Sequence, residues 1–245
     1  MILPNVRAGF GRAEAAYLLA VTSRDDDGLR ESFEERLRTE GLDSVLDDPR
    51  TLNAVLTAGG FTAVPARLVF YLLVRHALLE NGIEDRLVAD YLAAILLEFG
   101  SGDRARRVDE RDGESFDYLV DIAAALADAD DRRAFLLRTH LGNFALWWSG
   151  LFPDYITARV HRRGAPGIEY YEELGASGYR LAAHSSHAEA YGLHWLYRAC
   201  AQNFSRLRVS LNLIADRYLF PATGDRIDRM LRQVSDRFRD NAPAN

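Results

Sequence analysis

DRRAFLLRTHLGNFALWWSGLF, residues 131–152, is the stretch on which the fold turns. Leu137, Leu141, Phe144, Trp148 and Leu151 recur every three or four residues, and Leu136, His140, Asn143 and Trp147 make the adjoining stripe. A helix with two such stripes side by side has almost no face to give to water, so it is predicted to lie at the centre of the protein. Gly142, Ala145 and Ser149 add a strip of small residues along which a neighbouring helix can approach closely.

Outward from that segment the helical period persists, and strand-like alternation is nearly absent. Helices are predicted near 12–22, 29–40, 49–58, 65–80, 83–99, 115–127, 154–162, 168–183, 186–218 and 224–239. Pro49 and Pro65 suit a first helical turn, where the missing N–H costs nothing. Asn81-Gly82 and Gly100 read as helix ends, and Ser115 as an N-cap. The run 186–218 reads as one long helix or as two joined near Asn203. In the last helix Ile227, Met230, Leu231, Val234 and Phe238 form an apolar stripe opposite four arginines. The fold class is all-α: a compact multi-helix bundle around a central apolar helix. Residues 1–245 read as a single domain, the alternative being two packed halves that meet in the loop 100–114. That loop mixes charges of both signs and is expected to be solvated and mobile, or else to serve as a lid.

Composition narrows the function classes. Hydrophobic residues make up 48% and charged residues 27%, which suits a globular chain rather than a disordered one. All 30 basic residues are arginine, and the net charge of -6 offers nothing overall to nucleic acid or an anionic membrane. A single cysteine, Cys200, allows no disulfide within the chain and fits a reducing, cytoplasmic setting. No apolar run is long enough to span a bilayer.

The candidate site residues fall in two groups. Arg180, His184, His187, Tyr191, His194 and Arg198 are spaced by three and four, so an uninterrupted helix would align them on one face. His184 and His187, one turn apart, could chelate a metal, although no third ligand is evident and no HExxH or Glu-x-x-His motif is present. His140 and Asn143, with Trp147 beyond, could line a pocket or face a haem. A core role, with the imidazole bonded to a backbone carbonyl, is the simpler expectation for His140. Arg159 to Gly167 is a basic turn leading into a helix, and Tyr170 and Tyr171 follow it. Glu169, Glu172 and Glu173 are expected to pair with its arginines, which makes an ion-pair cluster a better reading than an anion site.

Every motif for nucleophilic, nucleotide or zinc-protease chemistry is missing. The expected function is therefore a ligand- or protein-binding domain without catalysis, working through region 140–200. The alternative is a metal- or haem-dependent helical-bundle enzyme using His140 or the His184/His187 pair. A small molecule or a protein is the expected partner, with nucleic acid third.

Overall fold

The computed structural model describes residues 1–24, 26–59, 65–109, 112–221 and 232. Helix accounts for 74% of these, and no strand occurs among them. The predicted final helix, 224–239, lies outside the described residues. Contacts divide the chain into two compact units, Ile2–Glu98 and Phe99–Asn245, the second including Met1.

The first unit contains α1 (Arg12–Thr22), α2 (Asp27–Thr39), α3 (Leu42–Leu46), α4 (Pro49–Thr57), α5 (Ala66–Glu80) and nearly all of α6 (Arg86–Phe99). Local chemistry starts these helices. Asp26 accepts the Leu29 amide at 2.9 Å, and Asp48 accepts the Arg50 amide at 2.9 Å with Pro49 in the first turn. α5 and α6 are the core, with residues 71–78 and 88–96 all buried. The α3–α4 junction is tied to α5 by charge. Asp47 takes a two-pronged bond from the buried Arg75, at 2.6 and 2.9 Å, and a third from Arg86 at 2.6 Å. Burial opposes the Asp47 anion, but these guanidinium bonds win and hold its carboxyl below the usual range. His76 completes the junction by contacting the Leu46 carbonyl at 2.9 Å.

The second unit contains α7 (Leu119–Ala124), α8 (Asp131–Leu151), α9 (Pro153–Arg163), α10 (Ile168–Ala183), α11 (Ser186–Ala190), α12 (His194–Gln202) and α13 (Phe204–Ile214), followed by a π-helical turn at Ala215–Leu219. α8 is its centre. Asp130 caps it by accepting the Arg133 amide at 2.7 Å, and α7, α9, α10, α11 and α13 all pack on it. The small-residue strip works as the spacing predicts. The Tyr179 ring of α10 covers Gly142, Gly178 sits against the Arg138 carbonyl, Gly175 meets Ala145, and Leu211 of α13 covers Gly150. Methyl groups at these glycines would overlap their neighbours; at Gly178, α10 meets the backbone of α8 directly.

Three expectations change. The 186–218 run is not one helix or two. It contains three helices and a π turn, and besides the junction at Asn203 it breaks at Tyr191–Leu193, where Gly192 takes φ +67°. Ser115 does not cap a helix, because α7 starts only at Leu119. The described part of 100–114 is not simply solvated. Arg104 and Val108 are buried, the Phe116 amide bonds the Arg106 carbonyl at 2.7 Å, and Arg133 pairs with both Asp112 and Glu114. Its charges hold it against α8.

Candidate functional site

His140 is 3% exposed. Phe99, Phe144 and Phe116 surround it at ring distances of 5.7, 6.0 and 6.4 Å. Its Nε2 has no hydrogen-bond partner, so the expected carbonyl bond is absent at that atom. Burial, reinforced by the Arg104 guanidinium, pushes the imidazole down to about 3. Asn143, one turn on, is a core group. Its Oδ1 accepts the Tyr179 hydroxyl at 2.7 Å. Trp147 packs edge-on against Phe99 and Phe152. These three predicted residues therefore meet aromatic and core partners.

The second predicted set is distributed over three helices, since α10 ends at Ala183 and α11 ends at Ala190. The exposed His184 turns its Nδ1 to the Arg180 carbonyl at 2.6 Å. His187 instead stacks on Phe135 at 5.7 Å, and Tyr191 stacks on the same ring at 6.2 Å. His194 lies against Trp195 at 5.0 Å, and Arg198 covers the Trp195 ring at 4.9 Å. The single face assumed for these residues does not form, because the breaks before Ser186 and at Gly192 reset the helix phase. Among the described residues no group of three His, Cys, Asp or Glu is placed to hold a metal ion.

A different place in the second unit carries an unused functional group. α7, α9 and the start of α10 line an open cleft of about 220 Å³. Leu119 and Ile156 are buried along it, and Tyr118, Tyr170 and Tyr171 bring their rings to its walls. Arg159, half-buried, lines it as well. Its guanidinium lies over the Tyr118 ring at 5.3 Å and the Tyr155 ring at 5.7 Å. Burial raises the Tyr171 hydroxyl above the ordinary phenol range, and the positive Arg159 pulls it partly back.

The ion-pair cluster expected here is not what forms. Glu172 is taken by the buried Arg208 at 2.5 Å and by the Ser205 hydroxyl at 2.9 Å. Among the described residues Arg159 has no acidic partner and no acceptor for its side-chain N–H groups. The left-handed Gly164, φ +60°, ends α9 and turns the chain back so that Ala165 and Pro166 close one side of the cleft. The basic turn and the Tyr170-Tyr171 pair are legible in the sequence. Tyr118 and Leu119 are not, because they arrive from about forty residues away by tertiary packing. The chain matches no protein-family model, no similar curated protein and no solved structure.

Proposed function

We propose that the chain is a binding protein whose second unit holds a small organic anion in the cleft between α7, α9 and α10. One observation carries the reading: a half-buried guanidinium, set against two tyrosine rings, faces a cleft without a carboxylate partner. Clefts with apolar walls and one well-placed polar group are the common form of small-ligand sites. A guanidinium keeps its charge at any working pH, so an anionic group is the natural complement. Binding rather than turnover is favoured because no nucleophile paired with a base lines this cleft. Cys200, the single cysteine, is buried and suits a reducing compartment, and we place the protein in the cytoplasm on that ground.

Titration with a panel of small organic acids, followed by the ring resonances of Tyr118, Tyr170 and Tyr171, tests this. Binding should move those resonances, and Arg159→Gln should weaken it about tenfold or more, the scale of one lost charge-assisted bond. If no acid in the panel moves these rings, the cleft is not the site.

A further inference from the structure

Resting on that reading of the cleft, we infer that its occupant is a single-ring aromatic carboxylate. Three features set the class. The first is size. A closed apolar cavity of about 150 Å³ is enough to hold benzene. The 220 Å³ here therefore takes one ring and a short acid-bearing arm.

The second is the wall. Tyr170 and Tyr171, both lining the cleft, meet edge to face, with centroids 6.2 Å apart and planes at 84°. Leu119 of α7 and Ile156 of α9 add buried aliphatic surface to the lining. A flat ring can meet one tyrosine face-on and the other edge-on, the geometries aromatic pairs prefer. A flexible aliphatic tail would give up more rotamer freedom for the same contact.

The third is the charge. Arg159 is the cation among the lining residues; it lies over the Tyr118 and Tyr155 rings at 5.3 and 5.7 Å, and its planar N–H fork has no acceptor among the described residues. That fork matches the two oxygens of one carboxylate.

Calorimetric titration of the full chain with phenylacetate, phenylacetamide, hexanoate, phenyl phosphate and adenosine monophosphate tests the assignment, with Arg159→Gln as the variant. Its helix content, checked by circular dichroism, should match the parent. Phenylacetate should bind best. Removal of its charge in phenylacetamide, or of its ring in hexanoate, should each weaken binding about tenfold, and Arg159→Gln should do the same. Hexanoate binding as well as phenylacetate, and lost in Arg159→Gln, would keep the anion site and overturn the aromatic assignment. Tighter binding of phenyl phosphate or the nucleotide would overturn the carboxylate. Phenylacetate binding undiminished by Arg159→Gln would overturn the role of the guanidinium. Silence from all five probes would overturn the inference and count against the cleft itself.

Discussion

His140 concentrates the chemistry of one buried residue. Unfolded, its imidazole takes a proton below about 6.5; folded, it stays neutral down to about 3. Between those values the unfolded chain binds more protons, so stability falls as pH drops through the window, by about 1.4 kcal/mol per pH unit. Denaturant unfolding of the parent and of His140→Leu at pH 7 and pH 5 isolates this residue from His76 and the carboxylates, which titrate in both. The parent should lose about 2 kcal/mol more than the variant between the two pH values. An equal loss in both proteins would show that His140 is not the source. Arg208 is the opposite case, a buried charge that is fully partnered. It bonds Glu172 at 2.5 Å and Asn212 at 2.8 Å, and Asn212 in turn donates to the carbonyls of Ser149 and Gly150 at the end of α8. Glu172→Ala leaves the buried guanidinium without its counter-charge and should cost about 3–5 kcal/mol. Replacement of both partners, Glu172→Leu with Arg208→Met, should cost much less. A double variant as unstable as the single one would refute that account.

Between helices, the second unit depends on contacts that tolerate no added atom. A Cβ at Gly175 would stand 2.3 Å from the Phe204 ring, and one at Gly142 would stand 2.6 Å from Tyr179. Both helices would have to separate, so Gly175→Ala and Gly142→Ala should each cost about 1–3 kcal/mol or more. Gly113→Ala meets nothing within 4 Å and serves as the control, with a change of about 0.5 kcal/mol or less. Equal unfolding midpoints for all three variants would mean that the Tyr179 and Phe204 rings are not packed tightly on these glycines. The same close approach explains how Tyr179 reaches Asn143 across the interface.

Across the whole molecule, each unit carries its own buried arginine with its own carboxylate: Arg75 with Asp47 in the first, Arg208 with Glu172 in the second. Loss of either anion should therefore be felt first in the unit that contains it. Amide hydrogen exchange on Asp47→Ala should rise in residues 2–98 before the rest, and on Glu172→Ala in residues 99–221 before the rest. A uniform rise in both variants would show that the two units open as one. No helix among the described residues is long and apolar enough to cross a membrane.

Helix content and the place of α8 at the centre of its own unit follow from the sequence alone, because both depend on spacing within one segment. The ranges 12–22 and 168–183 are legible to the residue for the same reason, as is the fit of small residues at Gly142 and Ala145. Tertiary structure decided the rest. Gly192 breaks the 186–218 run in a left-handed turn that the three-and-four spacing of its histidines and arginines conceals. His140 became an unpartnered imidazole only when Phe99 and Phe116, distant in sequence, closed around it. Above all, the choice of ion-pair partners is non-local. Glu172 is near Arg159 and Arg163 along the chain, yet it bonds Arg208, 36 residues on, because α13 brings that guanidinium into the core where an unpaired charge is most costly. That long-range pairing removes a carboxylate that local reading assigns to the basic turn, and Arg159 has no acidic partner among the described residues.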